Sequence, residues 1–405
     1  MTEERQVNEQ DIPAEGDLPE QFSLVAGGPF HALLGRFGLL GGDRLPSYMA
    51  ALGLALLAWS IPAIIVMLQS LTDENYSGWD YFQDPTVYCR YLLAIVILIS
   101  TERMADERVT LLIQQFRDAQ ILDGLNRARF AAAVRRADKR SSSQGAELTI
   151  LAAAFFWSVI TTRIASEFSA DGWEGALASD GDIMLSWAGD ASAFTSNTLF
   201  LFLVLRWIWR FLIWASLLHT TSRLKLQIMP LHPDRCGGLG FLGIFPGIFS
   251  GVIIALSSVI AASFYKALPA IGDSDQLLGL AVAVWLLLVA VIFLGPLLFF
   301  MRPLYLSRER SQLEYGRLAH GHHLEFHRKW IDRKAPGQEI LGSADPSSLS
   351  DLNGSVQTVH EMRTFPIDRP ALVQLLLSAG LPLLVMAALW MPVGDLLKLI
   401  MGVLF

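Results

Sequence analysis

Charge is what this sequence has least of. Only 17% of its 405 residues are Asp, Glu, Lys or Arg, against 53% hydrophobic, and that balance excludes a soluble chain whose surface must face water. Cysteine is nearly absent: Cys89 and Cys236 form no CxxC pair, and the topology derived below sets them on opposite sides of a membrane, excluding an intrachain disulfide. Met1 to Glu20 has no apolar core and is acidic, so no cleavable signal peptide is visible there and a disordered tail is expected.

The apolar residues fall in long blocks. Crossing a bilayer as a helix takes roughly 20 consecutive apolar residues, and seven stretches approach or meet that length: Ser47 to Leu68, Thr86 to Ile99, Leu148 to Ile164, Ser196 to Leu217, Leu239 to Phe264, Leu277 to Phe300 and Ala371 to Met391. The expected fold is an all-α integral membrane protein of about seven transmembrane helices with helical cytoplasmic extensions. Span two is the shortest and needs either Tyr81 to Pro85 or the start of the polar Ser100 to Glu107 segment to complete a crossing.

Two linkers lack Lys and Arg altogether. Thr72 to Pro85 holds Asp73, Glu74, Asp80 and Asp84, and Glu167 to Asp190 holds Asp171, Glu174, Asp180 and Asp182. By the rule that Lys and Arg stay inside, both are external. The loop after span two contains Arg103, Arg108, Arg117 and six further basic residues through Arg140, and the loop after span four contains Arg223, Lys225 and Arg235. These are cytoplasmic, as is the basic 302–370 loop between spans six and seven. All fit one parity, with a cytoplasmic amino terminus and an external carboxyl terminus in a bacterial cytoplasmic (inner) membrane.

The chain then divides into four parts. Residues 1–45 are a disordered acidic tail followed, over Pro29 to Leu40, by either an interfacial helix or a Gly-rich linker. Residues 46–301 are a six-span bundle with a helical cytoplasmic loop over 104–145. A cytoplasmic helical module, 302–370, reads as two helices, Leu304 to Arg333 and Ser348 to Arg363. The seventh span and external end occupy 371–405.

No Asp or Glu falls centrally in any span, which counts against a proton- or sodium-coupled pump. Arginines do. At about 1.5 Å per residue, Arg206 sits about 15 Å from Ser196, near the bilayer midplane, with Arg210 one turn deeper on the same face. Facing lipid would cost about 2.5 to 3.5 kcal/mol each. With no mid-membrane carboxylate to pair them, they are expected either to contact an anion or lipid phosphate, or to cap carbonyls at a helix break.

Three other patterns bear on function. His232-Pro233-Asp234-Arg235-Cys236-Gly237-Gly238-Leu239-Gly240 puts a Gly-rich turn before a helix, so Arg235 with the backbone of Gly237 and Gly238 makes either an anion contact or a structural re-entry turn. Gly243, Gly247, Gly251 and Ala255 recur every fourth residue, a stripe that permits close helix packing within the chain or between subunits. Pro246 in that span is a candidate kink. His320, His323 and His327 lie on nearly one helical face, where a metal site competes with a solvated, proton-sensitive surface. A rhomboid-type protease is excluded because Ser250 lacks both the Gly-x-Ser-Gly string and a mid-span histidine.

The strings His232 to Gly240 and Leu-Gly-Ser-Ala-Asp-Pro-Ser-Ser-Leu-Ser-Asp-Leu (Leu341 to Leu352) resemble signatures of uncharacterised bacterial polytopic inner-membrane proteins. The resemblance covers the second half of the chain and implies no activity. Two function classes follow from the residues: permeation or anion and lipid-headgroup contact through the span-four arginines, and a non-transporting sensor or scaffold acting through cytoplasmic helices. An enzyme ranks below both. The expected partners are the lipid bilayer, further copies of the chain and a cytoplasmic protein, with no nucleic acid and no cofactor.

The topology makes a direct prediction. Alkaline phosphatase fused after Phe405 is active and green fluorescent protein fused there is dark; the reverse pattern rules out the seven-span arrangement.

Overall fold

Hydrocarbon offers no partner for a backbone N–H or C=O, so an apolar run inserted there satisfies its own groups as a helix. A computed structural model of the chain describes residues 22–25, 27–40, 48–72, 78–168, 171–177, 183–271, 275–332 and 342–390. In it, seven helices are long and apolar enough to cross a membrane: Tyr48–Thr72, Pro85–Asp118, Gln144–Ile164, Trp187–Ser222, Gly240–Ala267, Gly279–Ile331 and Arg369–Leu389, spans one to seven in order. The chain is a multi-pass α-helical membrane protein.

Span two gains its length from the polar side. Asp84 caps its start, accepting from Thr86 N at 2.9 Å, a π-helical stretch covers Tyr88–Ala94, and an α-helix continues through Asp118. Ile95, Leu98, Ile99, Glu102, Ala105, Val109, Leu112 and Phe116 are buried along it, a period of three to four residues that keeps one face on the bundle. Glu102 falls in register with that apolar stripe.

The loop that follows is a helical hairpin rather than one continued helix. Gln120, at φ +52°, turns the chain, Gln227 N donates to the Ile121 carbonyl at 2.8 Å, and Asp123 caps the helix Gly124–Ser141 by accepting from Asn126 N at 3.1 Å. That helix folds back beside span four, with the Trp209 indole donating to the Arg140 carbonyl at 3.4 Å and the Phe116 and Phe130 rings 5.4 Å apart.

Span five is the most buried of the seven: 67% of its apolar window is enclosed, against 22 to 50% for the others. It is broken into a 3-10 turn (Gly240–Ile244), a short helix (Phe245–Ile248) begun by Pro246, and the helix Ser250–Ile271. The small-residue stripe faces neighbours in the same chain. A side chain at Gly247 would meet Arg108 of span two and Gln374 of span seven, and one at Gly251 would collide with the Thr101 hydroxyl. Gly243 lies against the 366–368 backbone and Ala255 is fully buried.

On the side opposite the basic loops, the linker into span four contains a three-stranded antiparallel sheet that helical periodicity gave no reason to expect: β1 (Asp171–Gly172), β2 (Gly175–Leu177) and β3 (Ile183–Leu185), in that order. On the basic side, Met301–Phe326 continues span six outward, ends in a π turn over His327–Ile331, and pairs with Asp345–His360. The pairing is antiparallel. Arg308 donates to the His360 carbonyl at 2.9 Å, His323 meets Asn353 at 3.0 Å, and Lys329 pairs with Asp345 at 2.6 Å.

Candidate functional site

The two arginines of span four do have a carboxylate. Arg206 and Arg210, one turn apart, each place an Nη1 atom 2.8 Å from Oε1 of Glu102 in span two. Glu147, near the start of span three, sets its Oε1 3.0 Å from Nε of Arg206, and Ser196 donates to the Ala58 carbonyl midway along span one, so the arginines lie at the basic-side end of the bundle and not near the bilayer midplane as expected. The expectation of unpaired arginines is therefore overturned, and the cause is the short span two: Glu102 stands just past its apolar run in sequence, but the helix continues and turns it inward. All the groups are enclosed, with Glu102 1%, Arg210 3% and Arg206 5% exposed.

Two guanidiniums and two carboxylates balance in charge, which is what a low-dielectric interior demands of ions it encloses. The hydrogen bonding is less complete. Oε2 of Glu102 has no hydrogen-bond partner among the described residues, and the Glu147 Oε1 to Arg206 contact is a charge contact without the alignment of a hydrogen bond. The cluster therefore fixes how spans two, three and four sit together more than it adds net stability.

The remaining side is closed by the amino-terminal segment. The Val25 carbonyl accepts from Arg210 Nη2 at 3.3 Å, Phe30 N donates to Glu147 Oε2 at 3.2 Å, and the Phe30 ring lies 4.9 Å from the Arg206 guanidinium. Ser23 Oγ and Leu24 N both donate to Asp106 Oδ1, at 2.6 and 3.0 Å, and Thr110 donates to the Phe22 carbonyl. Phe22, Leu24 and Val25 are buried, and the helix Gly28–Arg36 rests its Phe30 against Phe202 at 5.3 Å. This overturns the linker reading of Pro29 to Leu40. The segment is a strap over the cluster, although Leu33 and Phe37 still face outward; the acidic residues of 1–21 lie outside the described residues.

The Gly-rich turn has its own anion. The Asp234 carboxylate accepts from the backbone N–H of Cys236 at 2.8 Å, Gly238 at 3.2 Å and Gly240 at 2.7 Å. Burial works to raise this carboxyl, and those three backbone bonds with His232 outweigh it and hold it below the usual range. Donors that could have met an external anion are thus taken by a residue of the same loop. Arg235 and Gly237 adopt left-handed backbone, at φ +55° and +63°, and a side chain at Gly237 would collide with Ile228.

What the turn holds is the basic-side hairpin. Arg363 donates from its backbone N to the Arg235 carbonyl at 2.6 Å and from Nη2 to the Asp234 carbonyl at 3.0 Å, and Arg235 pairs with Glu361 at 3.2 Å. Arg235, Gly237 and Gly238 thus belong to a latch between the hairpin's end and the start of span five. The histidines do not converge. His323 faces Asn353, His327 lies 3.6 Å from Asp332, and among the described residues no group of three or more His, Cys, Asp or Glu could hold a metal ion.

A third polar centre, on the acidic side, was missed from sequence. Asp84, 5% exposed, accepts from the Lys266 ammonium at 2.6 Å, the Trp173 indole at 3.1 Å, and Thr86 N and Oγ1 at 2.9 and 2.6 Å. It joins the start of span two, the small sheet and the end of span five. Burial works to raise its carboxyl, but Lys266 and the hydrogen bonds outweigh that and hold it below the ordinary carboxylate range. Asp84-Pro85 was legible as a helix start; its partners are 89 and 182 residues away.

Comparison with protein-family models, with curated proteins and with solved structures finds no match to this chain.

Two measurements test the site. Glu102→Ala leaves two enclosed guanidiniums with one carboxylate, and denaturation in detergent should show a loss of about 3–5 kcal/mol; a loss below about 1 kcal/mol would mean that the pair is not buried in the folded protein. Asp84 has a lowered folded-state pKa, so its contribution is complete above the unfolded value of about 4 and disappears as pH falls through the folded one. The stability gap between wild type and Asp84→Asn should be constant from pH 7 to 5 and shrink below about pH 4; a gap independent of pH would dismiss the ion pair.

Proposed function

We propose that this protein is a non-transporting membrane sensor or scaffold, coupling its transmembrane bundle to a helical hairpin on the cytoplasmic side of a bacterial inner membrane. The observation that carries this reading is the enclosure of Arg206 and Arg210. An anion pathway needs guanidiniums that are open to water and short of counter-charge. Here Glu102 and Glu147 match the charge, and Val25 and Phe30 close the remaining face.

The latch supports the second half of the proposal. Arg363 and Glu361 join the hairpin to the 232–240 turn, and span five, which follows that turn, packs its glycines against spans two and seven. Movement of the hairpin would therefore be felt at the most enclosed helix of the bundle. On this reading the amino terminus is cytoplasmic and the carboxyl terminus external, which the loop charges support, and the hairpin offers surface to a cytoplasmic protein or a second copy of the chain.

The test is flux. Full-length protein in sealed proteoliposomes should release chloride and phosphate no faster than protein-free vesicles. Release above that level, reduced by Arg206→Gln, would replace this proposal with an anion pathway.

A further inference from the structure

The strap over the arginine cluster has a second side. In the helix Gly28–Arg36 and the residue that ends it, Phe30, Leu33, Leu34 and Phe37 recur at three- and four-residue intervals, which sets them on one face. The bundle covers only part of that face. Leu34 is buried and Phe30 lies against Phe202, whereas Leu33 is 48% and Phe37 71% exposed. The helix stops directly after them: Leu39 N donates to the Leu34 carbonyl at 2.9 Å and Gly38 N to the Gly35 carbonyl at 3.1 Å, with Gly38 at φ +66°. Ala32 and Arg36, also exposed, lie off the apolar face.

Depth identifies what the open half of the face meets. Ser196 donates to the Ala58 carbonyl midway along span one. Phe202 follows about 9 Å farther along span four, at about 1.5 Å per residue, within the roughly 15 Å from bilayer centre to headgroups. Arg206 comes one turn later, level with Glu147 at the start of span three. Phe30 lies against both Phe202 and Arg206, so the helix sits where hydrocarbon gives way to headgroups on the basic side. A side chain at Gly28 would collide with the Glu147 carboxylate, and beside Glu147 span three exposes Leu148 and Leu151. The open half of the strap's face thus borders the surface that span three turns to lipid.

We propose that the basic-side lipid leaflet is the strap's second partner: Leu33 and Phe37 insert among its acyl chains and hold Val25 and Phe30 over the arginine cluster. A helix with one apolar face lies in an interface in this way, with that face sunk to the level where acyl chains begin. Arg36, off the apolar face in the last turn, stays among the headgroups, where anionic lipids favour a cation. A soluble protein would reach Leu33 and Phe37 only by displacing lipid. This placement is independent of whether the protein transports anything.

The experiment spin-labels full-length protein in vesicles of phosphatidylethanolamine and phosphatidylglycerol, through Leu33→Cys, Phe37→Cys, Ala32→Cys or Arg36→Cys, with Cys89→Ala and Cys236→Ala removing the native thiols. The ratio of collisions with oxygen to collisions with a water-soluble nickel chelate should be at least about tenfold higher for Leu33→Cys and Phe37→Cys than for the other two. Equal ratios would leave the face in water, and labels at 33 and 37 closed to both reagents would put a second copy or another protein on it; either result overturns the proposal. The hold on the cluster is read with the native cysteines in place. Leu33→Ser/Phe37→Ser should speed amide hydrogen exchange over 22–30 by at least about tenfold in the same vesicles, whereas Ala32→Ser/Arg36→Gln should leave it at the wild-type rate, and slow exchange in the spans checks that both variants are folded. Unchanged exchange in the first variant, or equal acceleration in the two, likewise overturns the proposal.

Discussion

A carboxylate shared by two guanidiniums, out of reach of water, sets the terms on which spans two, three and four meet. Glu102 stands 2.8 Å from both Arg206 and Arg210, and none of these groups could be enclosed without the others, because an isolated buried ion costs several kcal/mol. The geometry that satisfies them also dictates where span two must continue, which face of span four turns inward, and where Glu147 must lie at the start of span three. Apolar packing alone specifies none of these so tightly, since one greasy helix face resembles another. The strap of residues 22–36 completes the arrangement by supplying a carbonyl to one arginine and an aromatic face to the other.

The same economy appears at the Gly-rich turn. A cluster of free N–H groups beside an arginine reads as an anion site in sequence, and in the folded chain it is one. The anion is Asp234 of the same loop. This self-occupancy stiffens a turn whose left-handed residues would otherwise be costly, and it frees the loop's carbonyls to receive Arg363. Asp84 does comparable work on the opposite side, where one carboxylate gathers an ammonium, an indole and a helix start.

Spans that were apolar throughout were legible from sequence because hydrocarbon leaves the backbone no alternative to a helix. The stripe Gly243, Gly247, Gly251 and Ala255 marked span five as a close-packing helix, although sequence could not choose between a partner subunit and the spans two and seven it meets. Glu102 was harder. Read in a line it belongs to a polar run from Ser100 to Glu107, and only its helical register with Ile95, Leu98 and Ala105 reveals that it faces inward. The strap was hidden for another reason: its partners Asp106, Ser141 and Glu147 are far along the chain, and local composition holds no record of contacts at that distance. The small sheet over 171–185 is short enough that no alternation could develop.

Chain order gives the arginine cluster one more property. Synthesis proceeds from the amino terminus, so the strap, Glu102 and Glu147 all leave the ribosome before Arg206. Span four, whose arginines enter the bundle beside Glu147 at the start of span three, follows helices already holding the opposite charge. Every partner of its two arginines, Glu102, Glu147 and the Val25 carbonyl, is therefore in the chain before they are. The salt bridge that organises the finished bundle is in this sense closed by the last of its parts to be made.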